Sequence, residues 1–265
     1  MWYSAVLLLF CTTSPVLISS LQCYSCTDAI MVEYLVTNNT VPSFSQCQVI
    51  QAISCSITLT WYENINMTVI SVDSRNSSSM QDTSGDTITA MALMEDGPYG
   101  SATLFAHNLV FSCTSNDTCN SETTLKELLS SLTIEDQFRE ELLPLIQVIY
   151  PFNPTAAACV NFRNTTVSCL PVDLADCQRC EITLDEFATS IPEICATCHR
   201  NSVDVNIVMH SSTFSLNNRT RLNDHVHLGC QTKGCNSIAN INQIFKASNI
   251  TFNFSEFFRA KHSMK

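Results

Sequence analysis

The chain has 265 residues, 45% of them hydrophobic, enough for one sizeable core or two modest ones, and its five glycines exclude collagen-like or Gly-linker character. Thirteen Lys and Arg against 24 Asp and Glu give a net charge of −11, and no basic run occurs, which argues against nucleic acid or an anionic membrane surface as partner. Fifteen cysteines are too many for a reduced cytosolic chain without metal or redox chemistry.

Residues 1–20, MWYSAVLLLFCTTSPVLISS, hold a short apolar stretch at 5–10 followed by small residues, the pattern of a secretory signal cleaved after Ser20. The stretch is too short for a membrane anchor. Ser56 to Trp61 alternates polar with apolar and predicts a strand, whereas Ser74 to Asp86 is polar and aperiodic and predicts an exposed loop. Leu125, Leu128, Leu129 and Leu132 share one helical face. Thr133 followed by Asp136 predicts the start of a second helix, with Phe138, Leu142, Leu145, Ile146 and Ile149 as its apolar stripe and a kink at Pro144. That stripe is expected to pack on a neighbouring domain rather than serve a partner. Val203 to Ile207 alternates again, and a further strand at 225–228 would put His225 and His227 on one face. Eight N-x-S/T sequons, at Asn38, Asn66, Asn76, Asn116, Asn164, Asn218, Asn249 and Asn253, agree with the signal segment. The last residues are charged and lack the apolar tail of a GPI signal, so a soluble, secreted chain without span or anchor is expected.

Without Cys11, fourteen cysteines remain in two clusters. Cys23, Cys26, Cys47, Cys55, Cys113 and Cys119 form the first. Cys159, Cys169, Cys177, Cys180, Cys195, Cys198, Cys230 and Cys235 form the second. Aligning the CxxC at Cys23 with the CxxC at Cys177 makes both clusters close on a Cys-Asn, at 119–120 and 235–236, followed by Ser and a helix-like pattern. A duplicated module is the economical reading.

Residues 177–200, CQRCEITLDEFATSIPEICATCHR, raise three chemistries. Cys177, Cys180, Cys195 and Cys198 have a zinc-ribbon look, but the first cluster lacks a second CxxC, and thiolates do not persist in a secretory compartment. Cys195, Cys198 and His199 match a haem-attachment pattern that would orphan Cys177 and Cys180. Two structural disulfides are the third and favoured reading. A redox CxxC needs a neighbouring βαβ unit, and a hydrolase needs a nucleophile motif such as G-x-S-x-G; neither pattern is found. His225 and His227 are a metal-pair candidate better read as incidental. No enzyme activity, metal or cofactor is expected.

Leu21-Gln22-Cys23-Tyr24-Ser25-Cys26, with the closing Cys-Asn pairs, resembles the Ly6/uPAR three-finger family. The resemblance implies a mostly β, small disulfide-rich chain. Its parts would be a signal (1–20), a first module (21–121), a helical linker (122–158), a second module (159–237) and a tail (238–265). It implies bridges Cys23–Cys55, Cys26–Cys47, Cys113–Cys119, Cys177–Cys198, Cys180–Cys195 and Cys230–Cys235. Cys159 and Cys169, left over, are expected to pair around the Asn164 sequon. Six cysteines allow 15 pairings, so spacing alone selects none of these. The chain departs from the family in lacking a second-finger pair and in carrying Ser112 and Gly229 where a cysteine usually precedes the penultimate one. The resemblance implies extracellular protein recognition through finger tips at 60–75 and 203–222, with an unidentified surface or secreted protein as partner. A self-associating structural glycoprotein is the alternative, with a secreted enzyme or metal-binding protein ranked below it.

Overall fold

The computed structural model describes residues 20–76, 85–96, 102–146, 159–164, 177–188, 190–199 and 206–263. The chain is mostly β and cross-linked by disulfides, as composition and cysteine count lead one to expect. Strand β1 (Leu21–Ser25) pairs antiparallel with β3 (Gln48–Ala52) in a small sheet of its own. A second, ten-stranded sheet has β2 (Ile30–Val32) at one edge and β9 (Phe162–Arg163) at the other.

Two hairpins from each half build that sheet. The first half supplies β4 (Ser54–Tyr62) with β5 (Met67–Arg75), and β6 (Thr87–Asp96) with β7 (Leu104–Cys113). The second supplies β10 (Arg179–Phe187) with β11 (Glu193–His199), and β12 (Asn206–Ser215) with β13 (Thr220–Cys230). The order is β2-β5-β4-β7-β6-β12-β13-β10-β11-β9. Thus the halves are not separate modules on a linker. They meet edge to edge, β6 against β12, from Thr87↔Ser215 to Asp96↔Asn206. Period-two burial explains the strands: Ile88, Ala90, Ala92 and Met94 turn inward on β6, and Val208, His210, Ser212 and Phe214 do so on β12.

The duplication is real at the level of pairing. Cys55 faces Cys113 across β4–β7, and Cys180 faces Cys230 across β10–β13. With these as counterparts, Met91 lies opposite its own counterpart Ser211, so a pseudo-twofold axis passes through the β6–β12 seam.

Both halves then continue into an arm. Helix α1 (Glu122–Ser131) starts at Ser121, whose Oγ accepts the Thr124 N–H at 3.2 Å, and it lays Leu125 and Leu128 on the first half's core. Leu132 does not extend that stripe, because β8 (Leu132–Asp136) begins there. Its alternating Leu-Thr-Ile-Glu-Asp pairs with β14 (Ser248–Phe252), Ile134 opposite Ile250. The helix expected from Thr133 therefore starts later. Asp136 Oδ1 accepts the Phe138 N–H at 3.0 Å, a π-helical turn runs over Phe138–Leu142, and α2 (Leu143–Ile146) follows. Pro144, lacking an N–H, sits just after that irregular turn.

Phe138, Leu142 and Ile146 bury in the core of the second half with Ile182, Val226 and Leu228, which is the packing role expected of the stripe. Ile149 lies outside the described residues, as do 77–84 of the expected Ser74–Asp86 loop and Val203 to Val205 of the expected strand. The second half answers in kind. Helix α3 (Ile238–Ala247) places Ile241 and Ile244 in its own core, and α4 (Phe254–Ser263) places Phe257 in the core of the first half, beside Phe252. Residues 238–263 are thus structural rather than a tail. Each half's core is closed by the other half's arm.

Candidate functional site

Two asparagines organise the base of the hairpins. Asn120 is fully buried; its Nδ2 donates to the carbonyls of Tyr24 (2.7 Å), Ser56 (3.3 Å) and Asp73 (3.2 Å), and its Oδ1 accepts the Tyr24 N–H (3.0 Å). Asn236 repeats this with the carbonyls of Val160, Glu181 and Thr197 and the Val160 N–H. The closing Cys-Asn is therefore a four-bond clamp that ties three strand segments together in each half.

This equivalence corrects the alignment made from sequence. Val160 stands where Tyr24 stands, so the partner of Cys23 in the repeat is Cys159, not Cys177. The bridges follow suit. Cys23–Cys55, Cys26–Cys47, Cys113–Cys119, Cys177–Cys198 and Cys230–Cys235 form as the resemblance implies. Cys159 bonds Cys180 across 5.2 Å between Cα atoms, so neither Cys159–Cys169 nor Cys180–Cys195 forms. Cys159–Cys180 is the counterpart of Cys23–Cys55. Cys195 is also disulfide-bonded, and Cys169 lies outside the described residues. The sulfurs of Cys159 and Cys177 lie 3.3 Å apart, two bridges stacked at one base. All four sulfurs of the ribbon-like set are engaged in disulfides, which leaves no thiolates for zinc and no free Cys198 for haem.

The same correction moves a finger tip. The β4–β5 tip stands at Glu63–Asn66, inside the expected 60–75. Its counterpart by the repeat is the β10–β11 tip at 188 and 190–192; the expected 203–222 instead holds interior strand β12 and the β12–β13 tip at 216–219. Both tips expose large apolar side chains: Ile65 is 62% exposed, Ile191 83% and Phe187 42%, and Met31 on edge strand β2 is 64% exposed. Strands alternate in direction from β4 to β10, so the two tips point to opposite ends of the molecule.

His107, His210, His225 and His227, all on the sheet, each lie within 3.5 Å of an acid. His225 Nδ1 lies 2.7 Å from Asp185, and His227 Nε2 lies 2.9 Å from Glu181, so the pair faces β10 carboxylates instead of a shared metal. Glu181 is held below its ordinary value chiefly by His227, against burial, with the charges of Arg179 and His199 adding to it. On β12, His210 Nδ1 contacts Ser248 Oγ at 2.6 Å, and its Nε2 lies 3.5 Å from Asp224. The residue types are those of a hydrolytic triad. The geometry is structural: Ser248 Oγ also donates to the Ile244 carbonyl, Phe245 stacks edge-on against His210 at 5.0 Å, and all three polar residues are buried. Burial raises the Asp224 carboxyl, but hydrogen bonds from His210 and Ser212 and the Arg221 guanidinium outweigh it and leave it low.

A cavity of about 390 Å³ opens where the 35–38 loop, Trp61, the β4–β5 tip, α1 and β8 meet. Leu35, Val36, Leu129, Leu132 and Ile134 give it apolar wall, Thr37, Asn38 and Ser130 polar wall; Glu63 gives it a carboxylate and His107 an imidazole, and no Lys or Arg is among its lining residues. Trp61 spends its indole N–H on the Val36 carbonyl at 2.8 Å, so what it offers the cavity is ring surface. His107 is held between two carboxylates, Nε2 at 2.5 Å from Asp136 and Nδ1 at 3.5 Å from Glu63. Burial raises Asp136; the His107 hydrogen bond, the Phe138 N–H and the charges of His107 and Arg139 prevail and keep it ionised to low pH. Glu63, His107 and Asp136 are also close enough to suggest a metal, but the ring nitrogen nearest Asp136 is already spent on it, leaving two ligands where a stable site needs three or four. Sequence gave no sign of this group, because its members come from a hairpin tip, a strand and an arm.

The sequon asparagines Asn66, Asn76, Asn116, Asn164, Asn218, Asn249 and Asn253 are exposed. Asn38 is half-buried at the cavity, its Nδ2 donating to Ser130 Oγ at 2.9 Å. Asn164 has both ends of its amide engaged, by the Pro192 carbonyl and the Ile194 N–H. No helix among the described residues is long and apolar enough to cross a membrane. Comparison with protein-family models, with curated proteins and with solved structures gives no match.

Proposed function

We propose that the chain is a secreted, N-glycosylated, non-enzymatic binding protein built of two degenerate three-finger modules, recognising an extracellular or cell-surface protein through hairpin tips. The observation that carries this reading is the exposure of Ile65 on one tip and of Phe187 and Ile191 on its counterpart, each on a hairpin fixed at its base by a bridge and an Asn clamp. Apolar side chains held out on rigid hairpins suit a protein interface, where a few central hydrophobic anchors supply most of the binding energy. The Leu21–Cys26 opening and the paired Cys-Asn closures support the family resemblance. Opposed tips imply two independent contact ends rather than one broad face.

The test uses surface cross-linking of purified chain to cells, with Ile65→Asp and Ile191→Asp as probes. Specific capture that each substitution weakens, at unchanged thermal stability, is the expected outcome. Micromolar self-association measured by sedimentation, with capture indifferent to both substitutions, would favour the structural glycoprotein instead.

A further inference from the structure

The cavity between Trp61 and the first arm has a chemistry the tip reading does not use. Its walls mix the apolar Leu35, Val36, Leu129, Leu132 and Ile134 with the polar Thr37, Asn38 and Ser130, Glu63 supplies a carboxylate at its rim, and Asp136 stands directly behind His107. Its volume of about 390 Å³ falls in the range of small-molecule sites, ~300–1,000 Å³. We propose that it binds a small organic cation, an aryl- or alkyl-ammonium, with the ammonium on Glu63 and the apolar part against Trp61, Leu129, Leu132 and Ile134.

Charge decides the class. An anionic ligand would meet Glu63 and the ionised Asp136 with no lining Lys or Arg to offset them. A neutral apolar ligand would strip water from the Glu63 carboxylate without replacing it, because the partner shown for that group is the His107 ring at 3.5 Å. An ammonium replaces that water with a charged donor, while its apolar part covers the Trp61 ring, whose N–H is already committed. The duplication supplies a comparison within the molecule. In the second arm the counterpart of Leu129 is Phe245, whose larger ring packs edge-on against His210. The inference rests on the cavity alone and survives if the tips bind nothing.

Trp61 is the only tryptophan outside the expected signal at 1–20, so in the secreted chain the fluorescence excited at long wavelength reports the cavity. The probes are phenethylammonium, its neutral analogue 2-phenylethanol and its anionic analogue 3-phenylpropionate. Saturable quenching by phenethylammonium, about tenfold tighter than by the other two, is expected. Glu63→Gln, on an exposed turn, should remove that preference while leaving any weak alcohol binding, and Leu129→Phe should abolish both. Equal affinity for amine and alcohol, or amine binding unaltered by Leu129→Phe, would overturn the proposal. So would binding that emerges only with Asn38→Gln, since the cavity would then belong to the glycan on Asn38.

Discussion

Replacing Asn120 by Asp tests the clamp with the smallest change of shape available. Asn120 Nδ2 donates to three carbonyl oxygens at 2.7–3.3 Å, and its Oδ1 accepts one N–H, all at a fully buried side chain. Aspartate keeps the acceptor and turns the donor into an oxygen aimed at those carbonyls. Losing the donor leaves up to three carbonyls short of a partner; Asp73 is exposed enough for water to reach, so two matter most. At ~1–3 kcal/mol for each buried group left unsatisfied, the loss is about 3 kcal/mol, before the cost of a buried carboxylate facing oxygen. For a chain of this size, that lowers Tm by roughly 10 °C. The sign with pH is diagnostic. Burial and surrounding oxygens raise the pKa of the new carboxyl, so Asn120→Asp should recover part of its deficit as pH falls through that raised value, when a donor O–H returns. The assay is thermal unfolding by circular dichroism at pH 7 and near pH 5, beside Asn236→Asp and the exposed Asn116→Asp as control. Wild-type Tm for Asn120→Asp at pH 7, or a deficit that grows on acidification faster than wild type's own loss, would refute the clamp.

Peptide mapping of non-reduced protein should recover Cys159 linked to Cys180 and Cys177 linked to Cys198; a Cys159–Cys169 peptide would break the proposed equivalence of the halves. Asp136, Glu181 and Asp224 are held below their ordinary 3.8, 4.5 and 3.8 in the folded chain, so the stability they contribute is full above those values and lost as pH falls through the lowered ones. Tm should therefore drop below about pH 4, and Asp224→Asn should flatten that drop; a Tm that rises over the same interval would contradict the pairing. Phe257→Ala, at a fully buried ring, should cost ~3–5 kcal/mol, read by urea unfolding, although it lies at the far end of the chain from the core it fills. Gly229→Ala brings a Cβ to 3.1 Å from both the Arg179 side chain and Ile207, so a loss of ~1–3 kcal/mol by the same assay is expected.

The strand at Ser56 to Trp61 and the first arm helix were legible because they depend on local period: Ser56 to Trp61 alternates, and Leu125 and Leu128 repeat at helical spacing. The bridges of the first half were legible through its opening hexapeptide. The second half misled for a physical reason. A disulfide is chosen by proximity in space, and CxxC occurs there at the entry to β10, where the first half has the single Cys55; spacing cannot distinguish an opening strand from an entry strand. Leu132 to Asp136 misled similarly, since Thr and Asp three apart suit a helix start, while pairing with Ser248 to Phe252, more than 100 residues later, decides for strand. The cavity needed Glu63, His107 and Asp136 to converge, and no local signal foretells that.

The exchanged arms bear on how such a molecule can act. Phe138, Leu142 and Ile146 close the second core, while Phe252 and Phe257 close the first, so neither half retains its full core without the other. The continuous β6–β12 ladder adds ten paired positions along the seam. A hinge between halves would have to break that ladder and withdraw both arms at once, which is the free energy of unfolding rather than of a domain motion. The opposed tips are accordingly fixed in relative orientation by the fold. A partner bound at Ile65 cannot swing the Ile191 end onto its own surface, so engagement of both ends requires two partner molecules, or two sites on one partner that already face each other across the width of the sheet.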